Sequence, residues 1–227
     1  MSAVPVIAID GPSGVGKGTV ARAVARRLGW HFLDSGSLYR ILALSADKAG
    51  IAGTDEAAVA AIAPRLNITF DVQDDEYERI IVDGDDLGAR VRTETTGQLA
   101  SVIAVHPRVR AALMERQRAF RNPPGLVADG RDMGTVVFPD AGLKIFLDAS
   151  ADERARRRMI QLRKAGIEAN IAALREEIRE RDVRDRSRTV SPLKPANDAV
   201  TIDTTELSIE RVLAHVEQLI EARAYAR

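Results

Sequence analysis

Pro5-Val6-Ile7-Ala8-Ile9, followed by Asp10-Gly11-Pro12-Ser13-Gly14-Val15-Gly16-Lys17-Gly18-Thr19, is the stretch that decides the fold. The apolar run with its β-branched residues is closed by Asp10-Gly11-Pro12 and predicts a buried parallel strand entering a turn. Val20, Val24 and Leu28 then recur at every fourth residue with Ala21 and Ala25 beside them, which predicts a helix stopped at Gly29. Between strand and helix lies the spacing of a phosphate loop up to its lysine. Its glycines let backbone N–H groups turn inward on an anion, the helix N-terminus adds its positive dipole end, and Lys17 reaches the β and γ phosphates. The departure is Gly18, which moves the hydroxyl residue one position on to Thr19, so that Thr19 approaches Mg²⁺ either directly or through water.

Working outward, the strand and helix alternation returns in the second half. Leu126 to Ala128, Lys144 to Leu147 and Val200 to Ile202 are strand candidates. Ile209, Val212, Leu213, Val216, Leu219 and Ile220 form a helical stripe. The pattern predicts an α/β parallel sheet wrapped by helices. Two stretches break it. Asn67 to Val72 and Arg79 to Val82 read as strands with no helix between them, and Asp83-Gly84 suits a tight turn after the second, so a small antiparallel insert is expected. Asp152 to Arg188 carries eleven Arg and one Lys against eight acids and reads as two amphipathic helices parted near Gly166, either an interaction arm or a movable lid.

Composition narrows the function. With 227 residues and 45% apolar content the chain is expected to bury a real core in one main domain with insertions, so disorder throughout is excluded. The absence of Cys excludes a disulfide framework, a thiolate zinc site and a Cys nucleophile, while His31, His106 and His215 lie too far apart to suggest a metal cluster. Any metal is expected to arrive with a substrate. The apolar stretch from Val4 stops at Asp10, which reads as neither signal peptide nor membrane span, and a cytosolic chain is expected. Lys+Arg 33 balance Asp+Glu 33, yet only five of the basic residues are Lys. The other 28 are Arg, whose planar fork suits phosphate and carboxylate; codon bias toward Arg on solvated faces would look the same, so position within motifs has to decide.

The spelling Gly16-Lys17-Gly18-Thr19 is similar to the loop of nucleoside monophosphate kinases. Asp34-Ser35-Gly36 with Tyr39-Arg40, Pro107-Arg108-Val109-Arg110, the run Asp129-Gly130-Arg131-Asp132-Met133-Gly134 continuing to Asp140, and Arg181 to Arg188 together resemble the bacterial cytidylate kinases along nearly the whole chain. The resemblance implies an α/β core of about five parallel strands with helices on both faces, a small antiparallel insert and a helical lid. The implied division is core at 1–34, a monophosphate-binding region at 35–105 with the insert near 66–93, core at 106–151, an Arg-rich lid at 152–190 and core at 191–227. It also implies transfer of the γ-phosphoryl group of ATP to CMP or dCMP with Mg²⁺, giving CDP or dCDP and ADP.

Elementary chemistry agrees with that expectation. Transfer between two polyanions needs positive charge from several directions and in-line oxygens, while the accepting phosphate oxygen is already ionised near neutral pH. No general base is needed, and the sequence offers no persuasive Ser-His-Asp or Cys-His set. Arg40 follows the Asp34 to Gly36 turn and either holds the acceptor phosphate or is an ordinary surface arginine. Arg131 stands just past a strand, at the carboxyl edge where open α/β sheets place ligands. By resemblance, Arg40, Arg131 and Arg188 contact the acceptor phosphate with Tyr39 nearby, and Lys17, Arg131 and Arg188 are the catalytic set. Asp129 either orients Mg²⁺ or its waters or merely ends a strand. Arg154 and Arg158, one helical turn apart, are candidates to flank the ATP base or phosphates.

Cytosine offers an amino donor at N4 with acceptors at N3 and O2, so a carboxylate beside a guanidinium is its complement, and uracil reverses the pattern. The resemblance gives those roles to Asp132 and Arg110, with Ser101 as an auxiliary. Positions 181, 185 and 188 fall on one face of a continuing helix; the resemblance assigns Arg181 and Asp185 to the sugar, with Ser35, and Arg188 to the phosphate end. A salt-bridged solvated helix has the same pattern. Asp83, Asp85 and Asp86 lack calcium-loop spacing and read as a polar turn. His31 reads as packing or surface. ATP, CMP and dCMP are the expected partners of a monomer, with no nucleic acid and no membrane. The rivals are a phosphotransferase acting on another monophosphate or hydroxyl compound, and a nucleic-acid binder using the hairpin, although zero net charge leaves no broad footprint for one. A GTPase switch lacks an evident guanine-recognition motif.

Overall fold

The computed structural model describes residues 4–71, 79–164, 166–188 and 190–223. The fully buried run β1 (Val6–Asp10) leads into α1 (Lys17–Leu28), which turns its Val20, Ala21, Val24 and Ala25 into the core. Gly29 follows in the left-handed region at φ +64°, the conformation that ends a helix and that glycine adopts without strain. Next come β2 (His31–Asp34) and α2 (Ser35–Lys48), whose first turn is capped by the Asp34 carboxylate accepting from Ser37 N at 2.9 Å. The chain continues through α3 (Glu56–Ile62), β3 (Ile68–Asp71), β4 (Arg79–Val82), β5 (Asp85–Asp86), α4 (Gly88–Val91), α5 (Glu94–Ile103) and α6 (Pro107–Arg118). It closes with β6 (Leu126–Gly130), a π-helical turn at Met133–Val137, β7 (Leu143–Asp148), α7 (Ala151–Lys164), α8 (Ile171–Ser187), β8 (Val200–Asp203) and α9 (Ile209–Ala222).

The strands form a five-stranded sheet in the order β2-β6-β1-β7-β8 and a three-stranded sheet in the order β3-β4-β5. Parallel pairing sets Ile7 opposite Leu143 and Asp10 opposite Phe146, and Ile145 opposite Val200. The expected parallel core and antiparallel insert are therefore present. In the insert, Phe70 pairs with Ile80 and Val82 with Asp85, and Asp83-Gly84 turns the chain with both residues at positive φ, the backbone a two-residue hairpin demands. Val72, expected at the end of the first insert strand, lies outside the described residues. Of the apolar stripe expected at the C-terminus, Val212, Val216 and Ile220 are buried and Ile209, Leu213 and Leu219 half-buried.

By contact the chain divides into two compact units. One holds Gly29–Leu126 and the other holds Pro5–Leu28 with the chain from Val127 onward. In the first, Phe70 sits edge-on to Phe32 and tilted against Phe120, which joins the insert to its own unit through ring contacts. In the second, α7 and α8 make the expected hairpin. Gly166 lies between them at φ +73°, and Asn170 caps α8 by accepting from Ala172 N at 2.8 Å.

Candidate active site

The second unit carries the phosphate loop. Gly11 is compulsory for a steric reason: a Cβ there would lie 2.1 Å from the carbonyl oxygen of Leu147, so only glycine lets the loop leave β1 against β7. Gly14 and Gly16 follow at φ +80° and +99°, the turns that aim successive amides at one point. Lys17 opens α1; its Nζ donates to Pro12 O at 2.9 Å and lies 3.9 Å from Asp129 Oδ1. Gly18, the departure from the usual hydroxyl, has a local cause. A Cβ at that position would stand 3.3 Å from Asp129 Oδ2, so glycine allows the strand-end carboxylate to sit against the start of the helix. Thr19 is exposed one position on.

The loop is braced from outside by α7. Arg154, 2% exposed, donates from Nε to Ala149 O at 3.0 Å and from Nη1 to Ser13 O at 3.2 Å, and its fork closes on both carboxylate oxygens of Asp182 in α8. Arg157 donates to Val15 O at 3.1 Å and to Thr204, and Glu153 steadies it through Nε at 2.9 Å. Hydrogen bonds from Arg157 and from Arg156, the stronger of the two, hold the Glu153 carboxyl below its usual range. Two carbonyls of the loop are thus held outward by guanidiniums, the arrangement that leaves N–H groups turned toward an anion. Arg154 therefore binds the loop itself, a role its expected place beside the ATP base or phosphates did not include. Arg158 lies on the same helix, half-buried.

Arg131 and Arg188, read as phosphate ligands, are brought together on one carboxylate. Asp185, 1% exposed, accepts from Arg131 Nε on Oδ2 and stands 2.6 Å from Arg188 Nη2 on Oδ1. Asp185 was expected at the sugar; here it is the anchor of two guanidiniums. Arg181 lies one turn earlier on α8. Asp132 begins the π-helical turn, its carbonyl accepting from Val136 N at 2.9 Å and Val137 N at 3.1 Å.

Asp10 is a buried carboxylate at the root of the loop that motif reading passed over. Its carboxylate accepts from Met133 N at 2.9 Å and Gly134 N at 2.8 Å. Burial pushes its pKa up to about 6, against the two backbone donors and the Lys17 ammonium, which lower it, and with the nearby Asp132 charge adding to the rise. A charged residue ending a fully buried apolar run was the available signal. Arg157 and Asp182 were passed over too; their spacing from Arg154 and Asp185 marked a helix face but not its partners.

In the first unit, Arg40 on α2 donates from Nη1 to Val91 O at 2.8 Å and Thr93 O at 3.1 Å. Its guanidinium lies over Gly97, where a Cβ would be 2.9 Å from Nη2, and Ser101 donates to the carbonyl of the same glycine at 2.9 Å. Arg40 and Ser101 thus both lie against Gly97 of α5. Ser35 is buried and donates to Gln117 Oε1 at 2.8 Å. Tyr39 is half-buried beside Arg40, and Arg110 stands in the first turn of α6 with its N–H on His106 O at 3.0 Å. His31 is exposed and bonds Pro123 O at 2.9 Å.

Among the described residues no group of three or more His, Asp or Glu is placed to cage a metal. Asp129 stands 3.9 Å from Lys17 and Thr19 lies two positions after it on α1, oxygen groups suited to a magnesium ion delivered by a nucleotide and keeping much of its water shell. Among the described residues no helix is long and apolar enough to cross a membrane.

Comparison with known proteins follows the same lines. The family model described as cytidylate kinase matches residues 7–222. A protein named cytidylate kinase from Pseudomonas paraeruginosa (strain DSM 24068 / PA7) is 58% identical over 222 residues, spanning 96% of this chain and 97% of that protein. One of the same name from Edwardsiella ictaluri (strain 93-146) is 54% identical over 224 residues, spanning 99% and 96%. Among solved structures, an uncharacterized protein from Eubacterium ventriosum ATCC 27560 is similar with a TM-score of 0.52 over 96% of this chain and 99% of that one, at 12% identity, a likeness of fold alone.

Proposed function

The chain belongs to the cytidylate kinase family, and from that premise we propose that it transfers the γ-phosphoryl group of ATP to CMP and dCMP, releasing ADP and CDP or dCDP. The observation that carries the reading is the gathering, within one unit, of a phosphate loop with Lys17 beside Asp129 and of Arg131 and Arg188 on the single carboxylate of Asp185.

In this reading Gly11 to Thr19 cradle the phosphates of ATP, and Lys17 leaves Pro12 O for the β and γ oxygens. Magnesium enters with ATP as part of the substrate and neutralises developing charge on those oxygens. Asp129 and Thr19 are the residues that meet it. Arg131 and Arg188 are held half-neutralised by Asp185 until the acceptor phosphate replaces that carboxylate as their partner, and Arg40 supplies a third guanidinium. Asp132 and Arg110 read N4 and N3 of cytosine with Ser101, and Arg181, Asp185 and Ser35 serve the sugar, Asp185 once the phosphate has taken its two arginines and Ser35 on leaving Gln117. Positioning contributes roughly 7–11 kcal/mol and a single arginine on the transferred group about 10³ to 10⁵ in rate, which leaves no general base to find. The equality of basic and acidic residues supports free nucleotides, rather than nucleic acid, as partners.

The test is ADP release with MgATP and a panel of CMP, dCMP, UMP, AMP and GMP, on the natural chain and on Asp132→Ala. CMP and dCMP are expected to lead, and Asp132→Ala to narrow the CMP to UMP ratio by about 10-fold or more, since unpaired polar groups in a site discriminate strongly. Equal turnover of the whole panel would overturn the assignment of acceptor, and an unchanged ratio in the variant would overturn the role of Asp132.

A further inference from the structure

Asp10 is the last residue of β1, and one peptide bond joins it to Gly11 of the phosphate loop. Its two carboxylate oxygens divide between two successive amides, Oδ1 accepting from Met133 and Oδ2 from Gly134. Those are the first amides of the π-helical turn at Met133–Val137, a turn that its N-cap residue, Asp132, does not cap with its side chain. The cap therefore comes from a different strand. Lys144 of β7 closes the grip from the other side. A Cβ on Gly134 would lie 3.1 Å from Lys144 Cδ and 3.4 Å from Asp10 Oδ2. The lysine stem is itself fixed, because Nζ donates to Pro139 O at 2.6 Å and to Asp198 at 3.0 Å. The segment folds back on itself as well, since a Cβ on Gly130 would stand 2.7 Å from Met133 Cγ.

We propose that Asp10 is a positioning residue: its carboxylate pins the segment Asp129 to Gly134 to the root of the phosphate loop, and so fixes where Arg131 and Asp132 stand relative to the nucleotide donor. The inference rests on the reading of Asp132 as the reader of cytosine. Only a carboxylate can do this work. Both amides are donors, and an asparagine in the same place turns its NH₂ toward one of them. A turn capped through a neighbouring strand moves with that strand, so donor and acceptor groups keep their spacing without touching each other. Displacement of about 1 Å in such a group costs on the order of 10²-fold in rate.

The experiment compares the natural chain with Asp10→Asn and Gly134→Ala in three measurements: kcat/KM for CMP, the ratio of CMP to UMP, and the affinity for a fluorescent ATP analogue with Mg²⁺ in the absence of acceptor. Asp10→Asn is expected to lose about 10- to 100-fold in kcat/KM for CMP and to narrow the CMP to UMP ratio by about 10-fold. Affinity for the ATP analogue should hold to within about threefold, because the loop amides keep their own guanidinium braces. Gly134→Ala leaves Asp10 intact and pushes the same segment off its clamp, so it should show the same split and serves if the first variant does not fold. A folded variant whose CMP to UMP ratio is unchanged, or whose ATP affinity falls in step with CMP turnover, overturns the proposal. A natural chain that turns over CMP and UMP equally instead overturns the underlying reading of Asp132, and the proposal with it.

Discussion

A carboxylate with no water around it is an expensive ion, and Asp10 shows how the chain meets that cost. Two amides and the ammonium of Lys17 offset part of the burial, yet the pKa remains at about 6 against an ordinary 3.8. A raised folded-state pKa means that the native state binds the proton more tightly than the unfolded chain does. The stabilisation from that proton is complete below pH 3.8 and is lost as pH rises through about 6, an effect on the order of 3 kcal/mol. Asp10→Asn cannot titrate. Its unfolding free energy minus that of the natural chain should therefore rise between pH 4 and pH 6.5 and level off above. Denaturant titrations across that range measure it, and parallel curves would refute the burial argument. Asp10 was legible only as the end of a strand, because its two partners lie more than 120 positions away. The place of Lys17 at the head of α1 was legible, because a glycine loop running from a strand into a helix is a local object.

At the scale of elements, α7 is more than one arm of a hairpin. It places Arg154 and Arg157 against the carbonyls of Ser13 and Val15, and Arg154 also takes the Asp182 carboxylate from α8. One helix therefore links the phosphate loop to α8 through a single side chain. Arg154→Ala would strip Ser13 O and Ala149 O of a donor and leave Asp182, itself mostly buried, without its guanidinium. Breaking a buried pair on one side costs about 3–5 kcal/mol. The variant should lose stability on that scale in thermal or denaturant unfolding, whereas Arg156→Ala, on the exposed face, should leave it nearly unchanged. Equal losses in the two would show that α7 does not brace the loop. The hairpin itself was readable from Gly166 and the run of arginines. Its role as a brace was not, since a stripe of alternating charge looks the same on a solvated face.

For the whole molecule, a ligand that binds only the folded chain stabilises it by mass action, about 2.7 kcal/mol at 100 times its Kd. For a chain of this size each kcal/mol moves Tm by roughly 2–4 °C. A bisubstrate analogue joining adenosine to cytidine through phosphates should thus raise Tm by about 5–10 °C at that excess. It should also slow amide exchange in 152–188, where Arg181, Asp185 and Arg188 lie. A Tm shift with unchanged exchange in that segment would separate binding from any ordering of the lid.

Strand, glycine loop, helix, the alternation of the second half and the insert with its Asp83-Gly84 turn were all determined by sequence, because each depends on residues within about ten positions of one another. Short helices such as α3 and α4 were not legible, having too few turns to show a period. Tertiary structure alone decided the partners of charge: that Asp185 gathers Arg131 and Arg188, that Ser35 turns inward to Gln117, and that Asp10 holds Met133 and Gly134. An apolar stripe needs only a direction, and periodicity supplies it, whereas a buried charge needs a particular partner at hydrogen-bond distance, and only the folded chain brings that partner near.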